Sequence, residues 1–293
     1  MKFSISKVIL YSIILLVMII FSGIAGAIEE NRTEKSSLPD SVLVYDNAGT
    51  WAIWNSTTNS ADIVGFGWNG TKPLVGDWDG DDIKEIGIYN TDGNNFILKT
   101  DSDFEVIGLG WAGVTPVVGD WNGDGKDDVG VYNNAGTWAL WNTETNSAEI
   151  VGFGWQGVQP VVGDWDGDSI TEIGVYHSDE KSFLLRTDSG FDVIGLGYPG
   201  SIPLVGDWNS DGKEEVGIYL NGIWALWNSN TNSTYNDGYG WNGTMPIVGD
   251  WDADGTTETG IYNPHGYNFL LRVDTDFETI GLGWYGVTPL SSY

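Results

Sequence analysis

The chain has no cysteine, and it sets 12 basic side chains against 41 acidic ones in 293 residues, a formal charge of −29. Without cysteine no disulfide staples its loops, so another device must hold them. The shortage of Lys and Arg excludes nucleic acid as a partner, because a phosphate backbone needs a basic patch. It equally disfavours adsorption to anionic lipid headgroups. Histidine is scarce too: His177 and His265 stand far apart, with no partner at nucleophile or metal spacing. No Ser/His/Asp set stands out, which argues against an enzyme. After the first 27 residues no window carries an apolar i, i+3, i+4 stripe long enough for a helix.

The one long hydrophobic run is at the N-terminus. Lys2 and Lys7 precede Val8–Phe21, and an Ala-x-Ala pattern follows at Ala25–Ala27. That order is the grammar of a secretory signal over 1–27; the alternative is an uncleaved anchor, since the apolar stretch is about long enough to span a bilayer. Either way the remainder is expected outside the cytoplasm, secreted or at the cell surface, with membrane contact only through this segment. Removing 1–27 deletes two Lys and no acid, leaving −31. Residues 28–41 are polar and aperiodic and read as a flexible linker.

What is abundant is glycine, tryptophan and repetition. "GDWDGDDIKEIGIY" from Gly76 returns as "GDWNGDGKDDVGVY" from Gly119, "GDWDGDSITEIGVY" from Gly163, "GDWNSDGKEEVGIY" from Gly206 and "GDWDADGTTETGIY" from Gly249. The spacing is 43 or 44 residues, a period belonging to propeller blades or solenoid coils. Between copies lie four short runs rich in β-branched and aromatic residues, bounded by Gly, Asn, Asp or Ser, which is strand-and-turn chemistry.

The expected fold is therefore all-β: a six-bladed β-propeller over 42–293, with four strands per blade. "GFGW"-type strands occur six times, the acidic loop five times. The ends account for the difference: Ser41–Gly49 matches the strand after an acidic loop, and Gly286–Tyr293 the strand before one. Pairing the N- and C-terminal strands closes a ring and removes both sheet edges. A longer period overlies the first. The third strand alternates between "TWAIWN", "TWALWN" and "IWALWN" and "NFILKT", "SFLLRT" and "NFLLRV", and Tyr45, Tyr132 and Tyr219 stand 87 apart. The unit of duplication is a blade pair.

Four carboxylates in nine residues repel one another unless a cation sits among them. Side chains at positions 1, 3, 5 and 9, with the carbonyl of position 7, can wrap one Ca²⁺ in six or seven oxygens; hard oxygen donors without His or Cys favour Ca²⁺ over zinc or copper. The expected sets are Asp77, Asp79, Asp81, Ile83 and Glu85; Asp120, Asn122, Asp124, Lys126 and Asp128; and Asp164, Asp166, Asp168, Ile170 and Glu172. Two more are Asp207, Asn209, Asp211, Lys213 and Glu215, and Asp250, Asp252, Asp254, Thr256 and Glu258. That makes about five Ca²⁺ ions. Ordinary Asp and Asn turns are the alternative, weakened by five copies in register.

With "DWNGDGKDD" (Asp120–Asp128) and "FGWQGVQP" (Phe153–Pro160), the repeats resemble the FG-GAP and VCBS family, the calcium-bearing repeats of the integrin α-subunit propeller. The resemblance covers about 42–293, with shorter blades and six instead of seven. It implies calcium sites on one face and a protein or carbohydrate ligand on the opposite one, hence an adhesion or recognition module. A secreted lectin and a carbohydrate-active lyase or glycosidase are the other readings.

The opposite face carries the loops joining strands 2–3 and 4–1. The latter hold Trp68, Trp111, Trp155, Tyr198, Trp241 and Trp284, able to stack on sugar rings or, the favoured expectation, to pack between blades. His265, Tyr267, Trp241 and Trp284 are the candidate ligand contacts. Lys99, Arg186 and Arg272 occupy one equivalent position and are expected to pair with a fourth-strand Asp. Asn-x-Ser/Thr sequons start at Asn31, Asn55, Asn69, Asn232 and Asn242 and would take glycans only in a host that modifies exported proteins.

Overall fold

The computed structural model describes residues 39–100 and 103–293; the expected signal segment and the sequon at Asn31 lie outside them. Six four-stranded antiparallel sheets form the blades of a propeller. Blade 1 contains β1 (Val42–Tyr45), β2 (Thr50–Asn55) and β3 (Ser60–Gly65). Blade 2 is β4 (Thr71–Gly76), β5 (Glu85–Asn90), β6 (Asn95–Lys99) and β7 (Phe104–Ile107). Blade 3 is β8 (Thr115–Gly119), β9 (Asp128–Asn133), β10 (Thr137–Asn142) and β11 (Ser147–Gly152). Blade 4 is β12 (Gln159–Gly163), β13 (Glu172–His177), β14 (Ser182–Thr187) and β15 (Gly190–Gly195). Blade 5 is β16 (Ile202–Gly206), β17 (Glu215–Leu220), β18 (Ile223–Asn228) and β19 (Ser233–Gly238). Blade 6 is β20 (Met245–Gly249), β21 (Glu258–Asn263), β22 (Asn268–Val273) and β23 (Asp276–Gly281).

The ring closes as the sequence predicts. β24 (Thr288–Ser291) completes blade 1 by pairing antiparallel with β1, Val42 opposite Ser291 and Tyr45 opposite Thr288. The expected linker is shorter than 28–41, because its last residues are fixed: Asp40 N–H donates to Asp250 O at 2.8 Å, and Ser292 N–H to Ser41 O at 2.9 Å.

Each innermost strand carries a proline at an equivalent place, including Pro73, Pro203, Pro246 and Pro289, and these four line an axial channel. A proline cannot donate to a sheet ladder, so an inner edge facing the channel is where it is tolerated. The Gly-Asp-Trp signature has a steric cause. The Trp78 ring lies so close over Gly76 that a Cβ there would sit 2.5 Å from it, and Gly87 opens the other side.

The blade interfaces fall into two classes that alternate around the ring. Interfaces 2/3, 4/5 and 6/1 enclose eleven, nine and eleven buried core residues. Interfaces 1/2, 3/4 and 5/6 enclose five, seven and four. The thinner class is reinforced at the rim by aromatic pairs, Phe66–Phe104, Phe153–Phe191 and Tyr239–Phe277, with centroids 5.5, 5.7 and 5.2 Å apart. The tryptophan pairs of the odd blades serve both classes, as expected of strand alternation. Trp138 packs at interface 3/4 and Trp141 at interface 2/3.

Candidate cation sites and ligand face

All five acidic loops join the first and second strands of a blade, on one face. In each, the position-1 aspartate caps the loop backbone: Asp164 Oδ1 accepts from Gly167 N–H at 2.6 Å and Oδ2 from Ser169 N–H at 2.8 Å. The position-7 residues Ile83, Lys126, Ile170, Lys213 and Thr256 donate their N–H groups to the position-5 carboxylate at 2.7–3.0 Å. Tight winding of this kind needs left-handed backbone, met by Gly80, Gly123, Gly167 and Gly212.

The loops are not equivalent. In blades 4 and 6, ligand atoms of Asp164, Asp166, Asp168 and Glu172, and of Asp250, Asp252, Asp254 and Glu258, lie within 4.8 Å of one another. In blade 2, Asp77, Asp79 and Glu85 do so, without Asp81. Buried Asp79 Oδ1 and Glu85 Oε1 have no hydrogen-bond partner there. Blades 3 and 5 place asparagine at position 3. Asn122 Nδ2 donates to Asp128 Oδ2 at 3.2 Å, and Asn209 Nδ2 to Glu215 Oε1. Their position-9 acids also accept from the 3–4 loop, Thr143 Oγ1 to Asp128 at 2.8 Å and Ser229 Oγ to Glu215 at 2.6 Å. An amide thus takes up one oxygen of the position-9 acid in the odd blades, while Asn209 Oδ1 and Glu215 Oε2 stay without a partner.

Burial raises the position-9 acid in both kinds of loop, Glu215 among them. Burial pushes Glu85 and Glu172 up to about 7 and Glu258 to about 8; the backbone N–H of Trp78, Trp165 or Trp251, at the start of the same loop, pulls each back, and the neighbouring aspartates push it further. Asp128 reaches about 6, with burial again the leading cause and Thr143 opposing it. Such groups share protons or hold a cation. The all-oxygen donor sets of the even blades, with orphaned oxygens at Asp79 and Glu85 in blade 2, fit a hard divalent cation.

The sequence reading passed over position 8. The residue just before the last ligand reaches back to the preceding blade and clasps the backbone of its position-1 aspartate from both sides. Asp127 N–H donates to Asp77 O at 2.7 Å, while Asp127 Oδ2 accepts from Asp77 N–H at 2.8 Å. Thr171 holds Asp120, Glu214 holds Asp164, Thr257 holds Asp207, and Asp40 holds Asp250 in the same way. The clasp is a carboxylate at the dense interfaces and a threonine hydroxyl at 3/4 and 5/6. The only hint in the sequence is that position 8 is polar in every copy.

On the opposite face, tyrosines of the second strands pin the 4–1 loops from below, Tyr132 OH donating to Trp155 O at 3.3 Å and Tyr219 OH to Trp241 O at 3.4 Å. Gly110 and Gly197, both at positive φ, make room for such hydroxyls: a Cβ there would lie 2.3 and 2.2 Å from Tyr89 and Tyr176 OH. Of the six rings above, Trp111 and Trp284 pack against interface cores as the sequence favours, and the other four project. Trp68, Trp155, Tyr198 and Trp241 are 42–47% exposed, while Trp111 and Trp284 are half-buried. Of the expected contacts, Trp241, His265 and Tyr267 are exposed. Trp284 instead packs at interface 6/1, its Nε1–H donating to Asp46 Oδ2 at 3.2 Å. His177 packs its ring on Trp155, 5.8 Å between centroids, and accepts from Glu180 N–H. The sequons at Asn69, Asn232 and Asn242 are exposed and that at Asn55 half-buried.

No protein-family model matches the chain, so the likeness to FG-GAP and VCBS repeats rests on the motifs alone. No curated protein matches it either. Among solved structures, the fold is similar to an Agrocybe aegerita lectin that specifically recognises non-reducing terminal N-acetylglucosamine. The TM-score is 0.56 at 12% identity, over 87% of this chain and 90% of the lectin. A functionally unknown protein from Desulfotomaculum acetoxidans aligns with a TM-score of 0.49 at 8% identity, over 86% and 99% of the two chains.

Proposed function

We propose that this chain is an exported, calcium-stabilised propeller that recognises carbohydrate at a surface, the lectin form of an adhesion and recognition module. The carrying observation is the crown of half-exposed aromatic rings at Trp68, Trp155, Tyr198 and Trp241, fixed at their backbones and repeated around one face. An aromatic ring presents an apolar face to the C–H face of a sugar, and polar loop groups beside it meet the hydroxyls. The lectin on a similar fold is a precedent for this chemistry, though at 12% identity it speaks to fold. Ca²⁺ in the even loops, and more weakly in the odd ones, is the reading of the acidic clusters that best fits their donor chemistry.

A glycan array with the full chain in Ca²⁺ tests the proposal. Binding to a defined glycan set is expected, reduced at least tenfold by Trp68→Ala with Trp241→Ala, and by Trp155→Ala with Tyr198→Ala, at parental melting temperature. An array without binders would overturn the carbohydrate reading, and cleavage of array sugars would make the protein an enzyme instead.

A further inference from the structure

Two of the thin interfaces, 3/4 and 5/6, open on the half of the molecule that carries the acidic loops, away from the crown. Interface 3/4 leaves a cleft of about 340 Å³, and interface 5/6 one of about 290 Å³; the first is walled by Trp121 and Leu140, with Asn142, Glu149, Arg186 and Asp188 at its edges. Interface 5/6 repeats it with Trp208, Leu226, Asn228, Tyr235, Arg272 and Asp274. Both volumes stand near the low end for small-molecule sites, roughly 300–1,000 Å³. The clefts follow from blade parity: the loop tryptophans of the even blades, Trp78, Trp165 and Trp251, are buried at 5–8%, while Trp121 and Trp208 are half-buried and face these openings.

The arginines give the clefts their chemistry. Arg272 pairs with Asp237 across the blade interface, not with an aspartate of its own blade, and its Nε–H donates to Asp274 O at 3.3 Å. In the 3/4 cleft the residue equivalent to Asp237 is Val151, and among the described residues Arg186 has no ion pair. An exposed guanidinium free to donate up to five hydrogen bonds, beside an amide, carboxylates and an indole wall, is a mixed set of donors and acceptors around one flat apolar surface.

We infer that the 3/4 and 5/6 clefts are two related sites, each for a single pyranose whose ring lies on Trp121 or Trp208 and whose adjacent hydroxyls meet the free Arg186 or the donors that Arg272 keeps beside its Asp237 pair. The inference rests on the carbohydrate reading but not on the crown. Both sites open beside an even-blade acidic loop, since Glu172 and Glu258 form part of their floors. Any ligand that seats there bridges a thin interface.

The test is calorimetric titration of the full chain, in Ca²⁺, with the methyl pyranosides of glucose, galactose, mannose and N-acetylglucosamine. At least one should bind with two or more sites per chain. Arg186→Ala and Arg272→Lys should each remove one site, and the double variant both, with crown variants leaving them intact. Asn142→Ala, remote from any ion pair, should weaken the first site at least fivefold and gives a second variant should the arginine changes disturb folding. If a pyranoside binds and the double variant keeps full stoichiometry, the clefts are not sites, though the carbohydrate reading survives. If no pyranoside binds while the array is positive, the clefts again fail alone. A negative array removes both.

Discussion

Interfaces 2/3 and 3/4 are built from the same blade, yet they hold together by different means. The first encloses eleven buried residues, among them Trp78, Phe96 and Leu98, and is clasped by the Asp127 carboxylate. The second encloses seven, leaves a cleft over Trp121, and is clasped by the Thr171 hydroxyl. The acidic loop beside the second is the complete one, with Asp164, Asp166, Asp168 and Glu172 converged; the loop of blade 3, fed into the ring one blade earlier, carries Asn122 and closes on itself. The converged set of blade 4 borders the thin 3/4 interface through Glu172 and the dense 4/5 interface through Asp164, which Glu214 clasps. If a cation occupies that set, it braces the blade between its thin and its dense neighbour, and blade 6 repeats the arrangement with Glu258 and Asp250.

The largest effect is expected from breaking a dense interface outright. Deleting Val287–Tyr293 removes β24, exposes the β1 edge, and takes away Val287, buried in the 6/1 core, with the Tyr293 OH bond to Glu214 Oε1 at 2.6 Å. An unpaired edge invites pairing with another chain. The deleted protein should aggregate or oligomerise in size-exclusion chromatography; a stable monomer with the parental melt would mean that the ring does not depend on its closure.

Much of this architecture is legible in the sequence. The 43-residue ruler, the complementary ends and the alternation of "TWALWN" with "SFLLRT" predict six blades, ring closure and the double-blade unit. What they leave out is relational. Position 8 looks like loop filler because its partner is another blade's backbone 50 residues away, as for Asp127 and Asp77. The alternation of Asp and Asn at position 3 is visible in Asp79, Asn122, Asp166, Asn209 and Asp252. Its consequence, an amide bonded to the ninth residue, needs the loop closed in three dimensions. The exposure of the crown rings is equally invisible, since an aromatic residue after "GFG" reads the same whether it packs or projects. Arg272 does pair with a fourth-strand aspartate, but that Asp237 belongs to the neighbouring blade shows only in three dimensions.

A smaller effect should separate the two kinds of loop. Extracellular calcium modules bind with Kd around 10⁻⁴–10⁻³ M, and at 100 times Kd each site adds about 2.7 kcal/mol. Three even-blade sites then raise the melting temperature by about 15–30 °C, taking about 2–4 °C per kcal/mol for a domain of this size. Chelator should remove that gain, and Glu172→Ala should remove roughly a third of it, whereas Asn122→Ala should hardly change the calcium response. Asn122→Asp with Asn209→Asp should raise the number of tightly bound ions by two in elemental analysis. The metal-free protein should also report the strained acids. Glu85, Glu172 and Glu258 lie above the ordinary glutamate value in the fold. The folded state therefore binds more protons than the unfolded chain between about pH 4.5 and 8, and stability falls as pH rises through that window. In chelator the melting temperature should drop from pH 5 to pH 8, and Ca²⁺ should flatten the dependence. A melt indifferent to chelator at every pH would remove the cation from this account.

The smallest effect concerns the clasps. Thr171→Val keeps the shape of the side chain but loses the Oγ1 that accepts from Asp120 N–H at 3.0 Å, while its own N–H still donates to Asp120 O at 2.7 Å. A net contribution of about 0.5–1.5 kcal/mol is expected for one such bond. Glu214→Gln at the dense 4/5 interface keeps one oxygen to accept from Asp164 N–H, and its new amide can donate to the Tyr293 hydroxyl that Glu214 accepts from, so a similar or smaller loss is expected there. The two changes differ in where the loss is felt. With Thr171→Val the interface has few buried residues to absorb a loosened corner, so hydrogen exchange should speed up at Asp120 and along β12 and β13 together. With Glu214→Gln protection should fall at Asp164 alone, because Trp165, Leu185 and Val216 remain packed beneath it. Equal, strictly local changes at both sites would show that the two interface classes do not differ in cooperativity, whatever their difference in burial.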